Sequence, residues 1–496
     1  MIYYKNFKKA DYIPKNHGHN DNTIFTFDIE TTSYLILDGK QLETSEYLKM
    51  NNEDRERVEF RTCMYIWQFS INDKVFYGRQ WDEFIEFLDE INEINPKKKK
   101  YIFVHNLSFE FSYLKSILNF TNIMARKSHR VIKAESGSFE WRCSYYMSNC
   151  ALKELPKMYN LNVTKKVGDL DYTKIRTPET PLSKKELEYC ECDCLVVYEY
   201  IKMELEQYED IWRIPLTSTG HVRKDFKDRV KNNWDYRKKI RRAINTDPHV
   251  YNLLQDAMAG GYVHSNVFYS GIMLQNITSY DITSAYPFYM LAYRYPSTKF
   301  TKCTITDINE LNNRFAYLIH IKFYDLKSKY FNYFLSRLKP YAISNGRYDN
   351  GRIISADYVE ITITDVDLKT IILSYDFSRY EILECYYSLY DYLPKELLSF
   401  ILEKYQKKTQ YKGVKGCEMI YQKNKQLFNS IFGMMITNTI RDDVTLDAES
   451  TTWKETPLTN EEIEKKLKYE EVQAYLSYAH GCWITAYRSI SYQLSN

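Results

Sequence analysis

The chain has 496 residues, 44% of them hydrophobic, and its 68 Lys/Arg against 65 Asp/Glu leave a net charge of +3. That length sets an expectation of two or three domains whose cores hold without disulfides. The near-neutral total says little about partners, so charge informs only where it is local. No apolar run is long enough to span a bilayer and no signal peptide is recognisable, so no membrane association is expected. The ten cysteines show no zinc-type pairing and are expected as reduced intracellular thiols.

Residues 23–31 read TIFTFDIET, a β-rich run. Side chains two apart in a strand share a face, so Asp28 and Glu30 project together. Neighbouring carboxylates repel unless a cation lies between them, and divalent metal supplies one. Alone, these acids are equally an ordinary exposed strand end. A second strand, residues 101–104, leads into His105-Asn106-Leu107-Ser108-Phe109-Glu110. Here the plainer reading makes Phe109, Phe111 and Leu114 core and Glu110 a solvated neighbour.

Ser183 and Glu186 form an S-x-x-E capping box, which predicts a helix holding Tyr189-Cys190-Glu191-Cys192-Asp193. Tyr189 and Asp193 then share one face, as do Cys190 and Cys194. Residues 214–250 show no clear core pattern. Within them, residues 223–242 hold ten Lys/Arg against three Asp, a local charge that attracts phosphates or a solvated helix face. Gly260-Gly261 permits close backbone approach or marks a turn.

Residues 276–283 read as a strand ending at Asp281, with Pro287 closing regular pairing; the stretch Asp281-Ile282-Thr283-Ser284-Ala285-Tyr286-Pro287 spans that corner. Residues 315–363 are β-rich, and residues 442–477 are mostly charged and polar. A helix is expected from near Cys417, with Lys425, Asn429 and Phe432/Gly433 on one face and Met419, Leu427 and Ile431 as core. Asp365-Val366-Asp367 introduces another helical run, where an Asp suits the N-cap.

The motifs, taken in this order, resemble a family B DNA polymerase with a 3′–5′ proofreading exonuclease in front. The detail is similar to the protein-primed branch of tailed phages and linear plasmids. The resemblance implies an α/β plus α+β multidomain chain: a ribonuclease H-like exonuclease domain at 1–213, a basic connector with a Gly-Gly loop at 214–262, and a partial palm and fingers at 263–496. It makes Asp28, Glu30, Glu110 and Asp193 exonuclease carboxylates, the first two and Asp193 as metal ligands. Tyr189 would orient the attacking water. Thr31, Asn106, Phe109, Gly260, Gly261, Thr485 and Arg488 would contact DNA.

In the polymerase half, the resemblance implies that Asp281 holds catalytic metal and that Ser284 lies against the triphosphate. Tyr286 would exclude a 2′-hydroxyl, Lys425 would meet the triphosphate, and Asn429, Phe432 and Gly433 would line the nascent base pair. Mg²⁺ or Mn²⁺ follows as cofactor. Primer-template DNA, dNTPs and a priming terminal protein follow as partners, with residues 315–363 and 442–477 as insertions that grip the priming protein. A phage- or plasmid-encoded enzyme in the host cytoplasm is the implied setting.

Departures carry expectations too. Glu110 stands where the family has Asp, Val167 stands beside Gly168 where it has a catalytic lysine (Lys165 and Lys166 lie next door), Ala285 replaces Leu, and Phe432 replaces Tyr. Glu110 and the altered loop together predict a slow exonuclease. The family's last Asp-Thr-Asp motif and thumb are absent. The expectation is therefore an N-terminal piece of a split or interrupted polymerase, unable to extend a primer alone and completed by a C-terminal fragment. Two other readings stay open: a stand-alone exonuclease with a polymerase remnant, and a DNA- or terminal-protein-binding module.

Overall fold

The computed structural model describes residues 1–42, 44–163, 170–171, 174–265, 267–331, 333–438, 440–447, 452–473 and 475–494. The chain forms two compact units. The first comprises Met1–Gly220, Val414–Lys423 and Asp443–Thr456; the second comprises His221–Gly413, Asn424–Asp442 and Pro457–Asn496.

The first unit is built on a ten-stranded mixed sheet. Its central strand, Asn20–Leu37, pairs antiparallel with Glu59–Ile71 and parallel with Lys99–Val104, and the latter pairs parallel with Phe139–Cys143. Two-residue alternation sorts the central strand between two layers. Phe25, Phe27 and Ile29 join a core with Trp67, Phe69 and Trp141, closed by Phe84, Phe87, Leu88 and Ile91 of helix Trp81–Ile94. Ile24 points the other way, into a core with Tyr101, Phe103, Val196, Val197 and Tyr200. The even-numbered face, which carries Asp28 and Glu30, is therefore the face against which helix Lys184–Tyr208 packs.

That helix begins as its sequence predicts. The Ser183 hydroxyl accepts the Glu186 N–H at 3.3 Å and Glu186 accepts the Ser183 N–H at 2.7 Å, satisfying orphan donors of the first turn. Arg176 fixes the same carboxylate at 2.6 Å. The Thr26 hydroxyl reaches the Cys194 carbonyl at 3.2 Å, pinning the helix to the strand. All ten cysteines are free thiols, and burial pushes Cys190 and Cys194 upward, which fits packing rather than reactivity.

The second unit centres on strand Phe315–Ser328, antiparallel to Arg352–Thr364 and to Arg379–Tyr392. The β-rich stretch 315–363, expected as an insertion, thus supplies the middle of this unit's own sheet. Residues 214–250, expected to lack a core pattern, form helices Ser218–Val230 and Trp234–Arg242 and lead into Pro248–Ala257. Val222, Phe226 and Val230, then Tyr236 and Ile240, sit in the core at four-residue spacing. One apolar side chain per turn is enough to dock a helix, and ten surrounding cations obscured so narrow a stripe.

Residues 276–283, expected as a strand, are not one: Asp281 and its neighbours have no regular structure, and Tyr280 is 91% exposed. A β-rich sequence becomes a strand only when a partner takes its N–H and C=O groups, and among the described residues none pairs with it. The charged stretch 442–477 also divides. Its hairpin, Asp443–Leu446 with Trp453–Thr456, belongs to the first unit, where Trp453 packs on Phe111 at 5.9 Å. Helix Asn460–Gln473 belongs to the second.

Glu204, on the inner face of helix Lys184–Tyr208, is 5% exposed. Burial raises its carboxyl to about 7 from an ordinary 4.5, offset in part by the Lys423 ammonium and by Tyr200. Between these values the unfolded chain releases a proton that the folded chain keeps, so stability falls as pH rises through this window and stays low above it. Glu204→Gln is expected to stabilise the first unit by roughly 1–3 kcal/mol above pH 7 and by almost nothing below the ordinary carboxylate range. Urea unfolding at the two pH extremes measures this, and an equal gain at both would contradict it.

Candidate functional site

The first unit gathers four carboxyl groups. In the sheet, Phe27 lies opposite Val104, so Asp28 and the turn after Val104 leave it at the same edge. That turn, His105–Leu107, places Asn106 at φ 71°, and its carbonyl receives the Phe109 N–H at 2.9 Å. Helix Ser108–Leu114 follows and directs Glu110 inward, leaving it 3% exposed. Helix Lys184–Tyr208 delivers Asp193 from the layer above. Carboxylate oxygens of Asp28, Glu30 and Asp193 all lie within 4.8 Å of one another.

Glu110 completes the set. Burial, then the charge of Asp28, then that of Glu30, hold its carboxyl well above the usual range. Opposed like charges in a dry site produce this shift, and a divalent cation reverses it. An all-oxygen donor set of this kind suits Mg²⁺ or Mn²⁺. Gln68 stands opposite Asp28 in the sheet and donates to its Oδ2 at 2.7 Å, orienting that carboxylate. Gln68 escaped the sequence reading, since only the strand register reveals it.

Around this cluster, Tyr189 lies one turn before Asp193 and is buried among Tyr65, Ile66 and Leu170. Thr31 follows a register shift after Glu30. Phe109 is 42% exposed, edge-on to Tyr113 at 5.5 Å, so with Asn106 it offers an accessible ring and amide. Of the loop singled out by sequence, Leu170 and Asp171 are seen; Lys165, Lys166, Val167, Gly168, Asp169 and Tyr172 lie outside the described residues.

The second unit gathers a different group. The Tyr286 ring stacks on Phe432 at 4.0 Å and 9°, and the Arg488 guanidinium sits 5.0 Å from the Tyr286 ring centre. Gly261 approaches both so closely that a Cβ there would meet Arg488 Nη1 at 2.5 Å and Tyr286 Oη at 3.0 Å. Gly260 has open space around it. Helix Glu418–Met435 begins where expected, with Lys425 and Asn429 on its exposed side and Phe428, Ile431, Met434 and Met435 buried. Leu427 packs against that core, and Met419 is half-exposed. The Gly433 carbonyl accepts the Thr437 hydroxyl at 2.8 Å.

Lys408 is the residue the motifs missed. It extends the buried stripe Leu397, Phe400, Ile401 of helix Lys395–Thr409, and a lysine on an apolar stripe was the legible signal. Its Nζ donates to Ser284 Oγ at 2.7 Å. Ser284 adopts φ 55° at the N-cap of helix Ala285–Ala292. Burial, then the Lys412 and Lys425 charges, pull the Lys408 ammonium below its ordinary range. Crowded cations of this kind favour a polyanion between them.

One expectation needs correction. Thr485, expected at DNA, is 2% exposed and its hydroxyl donates to the Cys482 carbonyl at 2.7 Å; a Thr inside a docked helix bonds its own backbone. Asp281 is exposed and, among the described residues, belongs to no cluster of metal-ligating groups. Asp365 and Asp367 open a helix as expected, although the N-cap is Thr364 rather than an Asp. Asp367 completes that capping box, while Asp365 accepts from Trp483 Nε1 at 3.1 Å and from the Tyr390 hydroxyl at 2.9 Å. Tyr317 N–H donates to the same carboxylate at 3.2 Å.

The first unit thus carries an acidic, metal-fitting edge and the second a lysine-rich aromatic cluster. The family described as DNA polymerase type B, organellar and viral, matches residues 166–495, and the chain belongs to that family. A comparison with curated protein sequences gives no match. Among solved structures, the fold resembles Phi29 DNA polymerase complexed with single-stranded DNA, at TM-score 0.64 and 16% identity over 95% of this chain and 76% of that one. It also resembles the Phi29 ternary complex with primer-template DNA and incoming nucleotides, at TM-score 0.62 and 17% identity over 95% and 77%. Among the described residues no helix is long and apolar enough to cross a membrane.

Replacing Asp28 and Glu30 together with Ala is expected to weaken Mn²⁺ binding by at least about 100-fold, because two of the oxygen ligands vanish. Electron paramagnetic resonance of free Mn²⁺ reads this directly; unchanged binding would place the metal elsewhere.

Proposed function

We propose that this chain is the exonuclease-bearing part of a protein-primed family B DNA polymerase, acting in phage-type DNA replication in the host cytoplasm. The observation that carries the reading is the convergence of Asp28, Glu30, Glu110 and Asp193 in one unit of a chain of this family. The strand order, with Lys99–Val104 and then Phe139–Cys143 parallel on one side of Asn20–Leu37 and Glu59–Ile71 antiparallel on the other, supports a ribonuclease H-like exonuclease.

A divalent metal pair bound there would supply a hydroxide nucleophile and charge stabilisation for in-line phosphodiester displacement. The chain's own part is binding and orientation. Asp28, Glu30 and Asp193 hold the cations, Gln68 fixes the Asp28 carboxylate, and Glu110 closes the set from the opposite element. Phe109 stacks on the last base, Asn106 holds the primer end, and Thr31 lies beside the cleaved phosphate. Tyr189 orients the attacking water. The longer Glu110 arm in place of Asp makes turnover slow.

In the polymerase half, Lys408 and Lys425 hold the triphosphate, with Ser284 kept in place by Lys408. Tyr286, stacked on Phe432, excludes a 2′-hydroxyl, and Asn429 and Gly433 line the base pair. Arg488 and the Gly260-Gly261 turn face the template. Asp281 provides one catalytic carboxylate, and Mg²⁺ chemistry needs a second. In this reading a further polypeptide segment supplies it, whether joined to this chain or separate, and a terminal protein supplies the priming hydroxyl. The exposure of Asp281 favours one second reading, a 3′–5′ exonuclease whose polymerase half binds DNA without extending it.

One gel tests both. With labelled primer-template and Mg²⁺, shortening from the 3′ end without dNTPs is expected, abolished in the Asp28→Ala/Glu30→Ala protein. Extension on adding a polypeptide that carries the second carboxylate supports the polymerase reading; shortening with no extension under any supplement supports the second. No shortening would overturn the exonuclease. In the extending system, Lys408→Leu is expected to raise the apparent dNTP KM by roughly 10-fold, the weight of one charge-assisted hydrogen bond.

A further inference from the structure

The basic run at residues 223–242 plays no part in either candidate site, and the structure divides it in two. In helix Ser218–Val230 and just after it the cations are largely matched: Lys224 bonds Asp228 at 2.9 Å, Arg229 bonds Glu403 at 2.5 Å, and Lys231 lies 3.9 Å from Asp228. Helix Trp234–Arg242 differs. Tyr236 and Ile240 are buried beneath it, while Trp234, Lys238, Lys239 and Arg242 are exposed. Arg237 and Arg241 donate to the Val472 carbonyl at 2.9 Å and 3.0 Å, a neutral acceptor that leaves both charges in place.

Beside this helix lies a groove of about 460 Å³, lined by Trp234, Lys238, Arg241, Arg242 and Lys299, with Asp235 and Glu471 as its two carboxylates. Lys299 bonds Glu471 at 2.6 Å, so three cations and Asp235 set its remaining charge. Arg242 and Lys299 also line a second groove, of about 780 Å³, whose walls include Phe315, Tyr387 and Leu389. Phe315 meets Tyr387 edge to face at 5.1 Å. Trp234 is 70% exposed, with the Arg237 guanidinium 5.4 Å from its ring.

We propose that these two joined grooves form a binding site for single-stranded DNA. A row of cations beside open aromatic surface matches what a single strand presents: phosphates on one side and unstacked bases on the other. A duplex shows only its phosphates along such a surface, and its bases cannot enter an aromatic groove. Phosphates lie along Lys238, Arg241 and Arg242, Trp234 stacks on one base, and the Phe315–Tyr387 groove receives the next. The grooves share no lining residue with either candidate cluster, and the proposal does not rest on the polymerase or exonuclease reading.

The test titrates a fluorescein-labelled oligothymidylate with the full chain in EDTA, where metal-dependent cutting is silent, and follows anisotropy against salt. Lys238→Ala with Arg242→Ala is expected to weaken binding about 10-fold at low salt and to reduce the slope of log K against log salt by about 1.4, two phosphate contacts at roughly 0.7 each. Trp234→Ala is expected to weaken binding about 5–10-fold and leave that slope unchanged. Circular dichroism melting confirms that each variant folds. Photo-crosslinking with bromodeoxyuridine should mark Trp234 or Tyr387.

Unchanged affinity and slope in both variants, or crosslinks only at the two candidate active sites, would overturn the proposal. Equal loss for a duplex of the same length, with Trp234→Ala silent, would overturn its single-strand part. Displacement of the oligonucleotide by polyglutamate at equal charge would reassign the surface to an acidic protein.

Discussion

The first unit depends on placing four carboxyl groups where water is scarce. Like charges a few ångströms apart in a low-dielectric setting repel strongly, and the chain answers in two ways at once. Burial and the neighbouring Asp28 and Glu30 charges push the Glu110 carboxyl well above the usual range, and the oxygen donors gather in a geometry that a divalent cation would hold together. Everything else serves that placement. Strand Asn20–Leu37 is buried on both faces, so its edge cannot flex away from the repulsion. The capping box at Ser183 and Glu186, tied down by Arg176, fixes where helix Lys184–Tyr208 starts and hence where Asp193 arrives, three turns in.

The second unit solves a softer problem with aromatic rings and lysines. The Tyr286–Phe432 stack joins the helix after Ser284 to helix Glu418–Met435, while Lys408 ties Ser284 to helix Lys395–Thr409. Three elements distant in sequence are therefore held around one point by one stack and one hydrogen bond. Asp365 does comparable work deeper in the core. It sits under Trp483 and Tyr390 and locks helix Tyr478–Leu494, which carries Arg488, onto the sheet. Its carboxyl accepts from Trp483, Tyr390 and the Tyr317 N–H, and a buried carboxyl is tolerated where such donors are supplied.

Much of this was legible in the sequence because it rests on local periodicity. The alternation in residues 23–31 put Asp28 and Glu30 on one face, the S-x-x-E signal placed a helix start, and four-residue spacing aligned Tyr189 with Asp193 and Lys425 with Asn429. What escaped depends on contacts between distant segments. Gln68 faces Asp28 only through the register of two strands. Lys408 meets Ser284 across 124 residues. The core stripe of Val222, Phe226 and Val230 was hidden because helix packing needs few apolar positions and the surface between them is dense with charge. Thr485 showed the reverse error: a position matched by motif order was turned inward by the packing of its helix.

Residues 276–283 mark the limit of local reasoning most clearly. Their composition is that of a strand, and in a sheet the same residues would bury Ile277 and Ile282 and fix Asp281 at a strand end. Strand formation is a property of pairs, since a lone extended segment leaves all of its backbone N–H and C=O groups without a strand partner. The neighbouring cluster (the Tyr286–Phe432 stack, Lys408, Lys425 and Arg488) assembles from helices, whose hydrogen bonds are internal and need no neighbour. Residues 276–283 depend instead on a ladder, and among the described residues no strand supplies one.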